Sequence, residues 1–385
     1  MRVLITVPWW ERLGGAEAML HMILEGAPQS EHELELVFFK DGPWPQQLRA
    51  MGLRVEVIEA GRVRQLHRVA ATTATLAARF RARQPDVILN WAAKTQLYGS
   101  PAAVLAGMSD RVVWWQHSIA AGHWIDLAAN LLPARAVACY SSAAAEAQSR
   151  LWPRRRTVVI AAGARPAGAG APGKSLELAG EEPVVGIVGR LQPWKGQDRL
   201  LRAQALLIER GHPFHLVIVG GDSYGLSPEY AASLPRLISE LGLEQRVTLT
   251  GEVSDAMPLI EQMDVLVNAS DPEPFGIVLV EGMAAGIPLV AVDAGGPRDI
   301  VEHERTGMLA RSGDPADLAA ALEPLLLSRA RRRALGAAGR ERFAREYTDD
   351  AVRRRFFSAL QKLVDERAAG DARPLRRRLP VCRRH

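Results

Sequence analysis

Short β-branched and aliphatic runs alternate with helix-length stretches along most of the chain, and they do so in two separate series. The first series has runs near 2–7, 34–39, 54–58, 86–90, 111–115, 136–140 and 157–160. The second begins at Val184-Val-Gly-Ile-Val188 and continues near 214–219, 246–250, 264–269, 289–292 and 307–310. Such alternation predicts parallel sheets covered by helices, because a parallel partner strand is reached only through a long crossover. Between the series lies Gly163-Ala-Arg-Pro-Ala-Gly-Ala-Gly-Ala-Pro-Gly173, then a weak polar stretch to Glu182. That composition cannot build a core and reads as a linker. The expected fold is therefore α/β, with two Rossmann-like doubly wound domains over 1–165 and 183–345 joined by 166–182. A ligand cleft should lie where the strand C-termini of the two domains meet. A length of 385 residues suits two cores better than one.

Composition narrows the class. The chain is 48% hydrophobic and 24% charged, as soluble globular proteins are. No apolar run approaches the length of a membrane span. Met1-Arg-Val-Leu-Ile-Thr-Val7 enters a strand pattern directly, without a signal-peptide pattern. Cys139 and Cys382 have neither metal spacing nor a disulfide framework, so a cytoplasmic setting is expected. The net charge of +5 belongs to the tail: residues 371–385 hold six Arg and one Asp, and the rest carries 42 basic and 42 acidic side chains. The tail reads as a solvated, disordered end, and no nucleic-acid partner is expected.

The chemistry concentrates in Asp271-Pro-Glu-Pro-Phe-Gly-Ile-Val-Leu-Val-Glu281-Gly-Met-Ala-Ala-Gly-Ile-Pro288. Glu273 lies in a Pro-flanked turn, and Glu281 lies in an apolar helical run that starts near Phe275. A separation of eight residues places the two carboxylates on roughly the same side of the helix. The turn Pro274-Phe275-Gly276 exposes the first-turn N–H groups, which lack intrahelical partners. A positive helix end flanked by carboxylates suits a polyhydroxylated anion such as a sugar-nucleotide diphosphate. A second element, Gly189-Arg190-Leu-Gln-Pro-Trp-Lys195-Gly196, follows the strand at 184–188 and opens a helix near Gln197. Its planar guanidinium and its point-charge ammonium both suit a diphosphate. Gly14-Gly15-Ala-Glu17 forms a strand-to-helix turn but lacks the dinucleotide fingerprint. His117 stands at the tip of the strand Val112-Val-Trp-Trp-Gln116, where α/β ligand sites form.

Glu273-Pro-Phe-Gly-(x)4-Glu281 resembles the Glu-x7-Glu motif of retaining glycosyltransferases of the GT-B fold. The closest resemblance is to the large group of bacterial mannosyl-, glucosyl- and N-acetylglucosaminyltransferases known as glycosyltransferase family 4, many of them in polysaccharide biosynthesis. It is most specific over 184–310 and looser over 1–160. It implies that Arg190 and Lys195 hold the donor pyrophosphate and stabilise the leaving charge. It gives Glu281 the ribose hydroxyls, and Glu273 with the backbone at Phe275, Gly276 and Ile277 the sugar hydroxyls. Gly14 and Gly15 would bring amides to the diphosphate from the other side. His117 would contact the donor sugar rather than act as a general base. Glycine-rich turns at Gly220-Gly221-Asp222 and Gly251-Glu252-Val253 would line the nucleotide pocket. The resemblance also implies that 346–370 crosses back onto the N-terminal domain, with Val352, Phe356, Leu360, Leu363 and Val364 at helical spacing.

No Asp-x-Asp occurs, and no His/Asp cluster has metal spacing, so no metal and no cofactor beyond the donor substrate are expected. The rivals are a sugar-nucleotide 2-epimerase of the same fold and a non-catalytic sugar-nucleotide-binding subunit. The acceptor, whether a glycan, a lipid-linked sugar or a small molecule, should meet the N-terminal domain. Trp9-Trp10-Glu11-Arg12 and Gly122-His123-Trp124 could stack on a sugar there or simply pack. Residues 62–83 read as a helix with basic ends whose small apolar face is used by the sheet. Weak, salt-sensitive contact with an anionic membrane surface is expected from it and the tail at most.

Overall fold

The computed structural model describes residues 1–11, 14–27, 30–61, 64–120, 122–168, 176, 181–222 and 225–371. Most of the expected linker, the first two residues of the 62–83 segment, Arg12 and the tail beyond residue 371 lie outside them.

Two all-parallel sheets form. The first contains β1 (Arg2–Val7), β2 (Glu33–Phe38), β3 (Arg54–Val57), β4 (Val87–Asn90), β5 (Val112–Gln116), β6 (Ala136–Cys139) and β7 (Thr157–Val159). Their order is β3-β2-β1-β4-β5-β6-β7. The second contains β8 (Val184–Val188), β9 (His215–Val219), β10 (Val247–Gly251), β11 (Val265–Asn268), β12 (Leu289–Val292) and β13 (Gly307–Ala310), in the order β10-β9-β8-β11-β12-β13. Helices cover both faces, so the central strands are buried throughout: every residue of β4, β6, β11 and β12 is buried. Each sheet reverses its winding once, between β1 and β4 and between β8 and β11. Those reversals open crevices at the strand C-termini.

The last helix, Asp349–Asp371, binds the two halves together. Val352, Phe356, Leu360 and Leu363 are buried in one apolar cluster that also holds Ile5 and Trp115 of the first sheet and Met283 of the second half. Backbone carbonyls receive its arginines: Arg353 donates to Met22 O at 3.2 Å and Arg355 to Ala161 O at 3.2 Å. Arg367 donates to Asp86 O at 2.7 Å. Arg135 of the first half donates to Leu363 O at 3.1 Å in return. Among the described residues no helix is long and apolar enough to cross a membrane.

Candidate active site

A cleft of about 790 Å³ lies between the C-terminal edges of the two sheets. Gly14, Gly15, His117, Arg190, Lys195, Glu273, Phe275, Gly276, Ile277 and Glu281 all line it. The ten residues given a donor-side role are therefore brought to one place, whereas Gly220, Gly221, Asp222, Gly251, Glu252 and Val253, expected to line the nucleotide pocket, are not among the lining residues.

The means differ from the expectation in one respect. The helix runs Ile277–Ala285, so Glu273 lies four residues before it and helical spacing does not orient the pair. A separate device does. The Glu273 backbone bridges to Gly295 in the loop after β12, and the Gly296 N–H donates to Glu273 O at 2.8 Å. Gly295 has φ +81°, and a Cβ there would stand 2.2 Å from Glu273 O, so a side chain is excluded. The Asp271 N–H donates to Trp194 O at 3.0 Å, which joins this turn to the Lys195 loop. Gly276, at φ +98°, then caps the helix, whose first residues, Ile277 and Val278, line the cleft.

Lys195 and Glu273 form an ion pair at 2.7 Å, with side chains 17% and 8% exposed. Asn268 at the end of β11 donates to the same carboxylate oxygen at 3.3 Å. Burial alone would push Glu273 up. Lys195, with hydrogen bonds from Ser270 and Asn268, outweighs it and holds the carboxyl below its usual range. Lys195 also sits 4.0 Å from the centre of the Trp194 ring, which fixes its ammonium further. Glu281 is opposite in character. Burial, reinforced by the Asp255 carboxylate, raises it to about 7. The two carboxylates of the motif are thus electrostatically distinct, one anchored as an anion and one poised near neutrality.

His117 is held neutral. Burial depresses it to about 4, although the Trp91 carbonyl pulls the other way. Its Nε2 faces that carbonyl, which can only accept, so the proton is on Nε2. Nδ1 then accepts from the Tyr140 hydroxyl at 2.9 Å. Trp9, Trp91 and Tyr140 rings surround it at 5.3–5.5 Å. With both nitrogens engaged, the ring offers an edge to a ligand but no free base.

The two halves touch across the cleft. A Cβ on Gly15 would lie 2.6 Å from Ile277 Cδ1, so the Gly14-Gly15 turn packs directly over the Ile277–Ala285 helix. Ser141, after β6, donates to Pro274 O at 2.7 Å, and the Ser142 N–H donates to Asp299 Oδ2 at 2.6 Å. Glu17 faces Arg190 across the gap. Burial pushes its carboxyl up, while its own backbone N–H and Arg190 pull it back. Sequence reasoning quoted Glu17 without a role and missed Tyr140, Ser141 and Gly295-Gly296. Position after a strand tip was the available signal for all of them. Behind the dication loop, Gly220 pairs with Gly251, and the Leu191 N–H donates to Gly221 O at 3.0 Å.

The aromatic loops divide. Trp9 lines the cleft, edge-on to His117. Trp10 instead packs under Lys40, whose Nζ is 3.6 Å from the ring centre. Trp124 is 63% exposed and is not a lining residue.

Residues 173–342 match the family described as glycosyl transferases group 1. The D-inositol 3-phosphate glycosyltransferase of Nocardia farcinica is 36% identical over 218 residues, which is 54% of this chain and 48% of that protein. A GDP-mannose-dependent α-(1-6)-phosphatidylinositol monomannoside mannosyltransferase of Mycobacterium tuberculosis is 37% identical over 171 residues, or 42% and 43% of the two chains. The chain spans about half the length of the curated relatives it matches. Over nearly its full length it is similar to Anabaena HepE, solved in complex with UDP and glucose. That match has 26% identity and a TM-score of 0.75 over 93% of this chain and 99% of the other. Sucrose-phosphate synthase from Thermosynechococcus elongatus shares the fold at 21% identity and a TM-score of 0.75, over 95% and 99% of the chains. The architecture is GT-B, two Rossmann-like domains facing a central cleft.

Proposed function

We propose that this chain is a retaining hexosyltransferase of glycosyltransferase family 4, moving a sugar from a nucleotide-diphosphate donor to an acceptor hydroxyl. One observation carries the reading: Arg190, Lys195, Glu273, Glu281 and the first residues of the Ile277–Ala285 helix all line one interdomain cleft. Two cations meet the two charges of a diphosphate, and the helix end adds to them. Glu281 takes the ribose diol. Glu273, anchored by Lys195, takes sugar hydroxyls together with the backbone at Phe275, Gly276 and Ile277. Gly14 and Gly15 approach from the opposite lip.

The chemistry follows from what these groups can do. The acceptor oxygen bonds to the anomeric carbon as the bond to the phosphate oxygen breaks, and that electron pair leaves with the nucleoside diphosphate. The acceptor's proton passes to the departing phosphate on the same face. Arg190 and Lys195 stabilise the charge that develops there. His117 positions the sugar and takes no proton, since its lone pair is used by Tyr140. The phosphate charge is met by side chains and amides, so turnover is proposed to need no divalent ion.

The test is product analysis with UDP-, GDP- and ADP-sugars over a panel of acceptors. The product should keep the donor's anomeric configuration in its NMR coupling constants, and activity should persist in EDTA. An inverted linkage, or a C2 epimer formed from donor alone, would overturn the reading.

A further inference from the structure

We propose that Glu17 is a product-release residue: its carboxylate, on the N-terminal lip of the diphosphate seat, repels the leaving nucleoside diphosphate more strongly than the intact donor. This rests on the reading of the cleft as a nucleotide-diphosphate-sugar site. Among the described residues three acidic side chains line the cleft, Glu17, Glu273 and Glu281. Glu273 is anchored by Lys195, and Glu281 is given to the ribose. Glu17 has no such task, yet it is only 6% exposed. The helix Gly15–Glu25 has Gly14 as its N-cap, so Glu17 is its third residue. The carboxylate folds back over the turn: a Cβ on Gly14 would stand 2.9 Å from Glu17 Oε2. First-turn amides lack intrahelical partners and draw an anion. Glu17 supplies one from within the chain, since its own N–H binds its carboxylate.

The charges around it leave Glu17 an anion beside the seat. Arg190 attracts it from across the cleft, but no direct ion pair joins the two, so the space between them stays open to a ligand. On another side it faces Tyr140, whose hydroxyl it pushes further from ionising. That hydroxyl is committed to His117 Nδ1 at 2.9 Å and does not neutralise Glu17. Transfer changes the charge of whatever fills the seat. The sugar–phosphate bond breaks with its electron pair on the phosphate oxygen, which first takes the acceptor's proton. A terminal phosphate has a second pKa of about 6, so above that pH the proton passes on to solvent. The product then carries one negative charge more than the donor. Arg190 and Lys195 alone would hold such a product more tightly than the donor and leave the cleft blocked. A carboxylate on the opposite lip acts with the opposite sign, and its repulsion also grows with the ligand's charge. Release, rather than chemistry, limits turnover in many enzymes.

The experiment is calorimetric titration of UDP, GDP and ADP, and of their sugars, into the wild type, Glu17→Gln and Glu17→Asp, in EDTA at pH 8. Glu281, at about 7, is ionised there in all three proteins. Glu17→Gln should bind the nucleoside diphosphate of the accepted donor about tenfold more tightly than the wild type does. Its gain for the intact donor should be smaller by about threefold, and product inhibition in steady-state assays should deepen. Glu17→Asp keeps the charge and should stay within about threefold of the wild type. A Glu17 that only capped its helix would give the reverse sign, with Glu17→Gln binding both ligands more weakly. That result, or equal binding of the nucleoside diphosphate by the wild type and Glu17→Gln, would overturn the proposal and leave the cleft assignment standing. Binding of no nucleotide by the wild type would overturn both.

Discussion

Two glutamates eight residues apart look equivalent in sequence, yet their surroundings give them different work. Glu273 is fixed as an anion by Lys195 and Asn268. Glu273→Ala should chiefly lower turnover, and Glu281→Ala should weaken donor binding, each by roughly 1.5–3 kcal/mol for a lost charged hydrogen bond. Steady-state kinetics beside donor titrations separates the two. Glu281 also predicts a pH dependence. Its carboxyl is raised from 4.5 to about 7, so the folded state holds this proton more tightly than the unfolded chain. Below about 4.5 both states are protonated and the group is neutral to stability. As pH rises from there to about 7, the unfolded chain ionises first and stability falls; above about 7 the loss is complete. Glu281→Gln should therefore melt higher than wild type at pH 8 and level with it near pH 4. A ribose diol donates best to the ionised form, so intact donor should bind the wild type more tightly as pH rises through 7, and Glu281→Gln should abolish that rise. A flat wild-type profile would contradict the assignment.

At the scale of elements, the turn 273–276 depends on a loop far from it in sequence. Gly295→Ala places a Cβ 2.2 Å from the Glu273 carbonyl at a φ of +81°. Neither backbone can yield cheaply. The variant should lose donor affinity at least about tenfold while retaining its far-UV circular dichroism, because the strained φ and the lost bridge act on the turn and not on the sheet. Titration of donor into the variant checks it. This dependence also explains what the sequence could and could not show. Strand after strand was legible, because buried parallel strands read as short unbroken aliphatic runs such as Val265-Leu-Val267 and Leu289-Val-Ala-Val292. The site residues were legible where chemistry-bearing types follow a strand tip, as Arg190 and His117 do. Gly295, Tyr140 and Ser141 also follow strand tips but were not singled out, because the contacts between loops that give them their roles are not encoded in any local pattern. The helical reading of Glu273 failed for the same reason: a bridge to Gly295 orients it, not the helical repeat.

At the scale of the molecule, the cleft exists because the last helix returns to the first domain and sets one sheet edge over the other. Phe356 is fully buried in the shared cluster, in stacking range of Trp115 at 6.0 Å. Phe356→Ala should cost about 3–5 kcal/mol, visible as a lower denaturation midpoint. It should also loosen the approach of Gly15 to Ile277 and so raise the donor KM. Wild-type stability in that variant would mean that the helix is not the clasp described here. The central claim is that this cleft holds a nucleotide-diphosphate sugar between cations and carboxylates from one domain and the glycine turn from the other. Calorimetric titration of UDP-, GDP- and ADP-sugars into the wild type and into Lys195→Ala and Glu281→Ala tests it most directly. At least one donor should bind the wild type, and each variant should bind that donor roughly tenfold or more weakly. Binding of no donor by the wild type, or equal binding by both variants, would contradict the account.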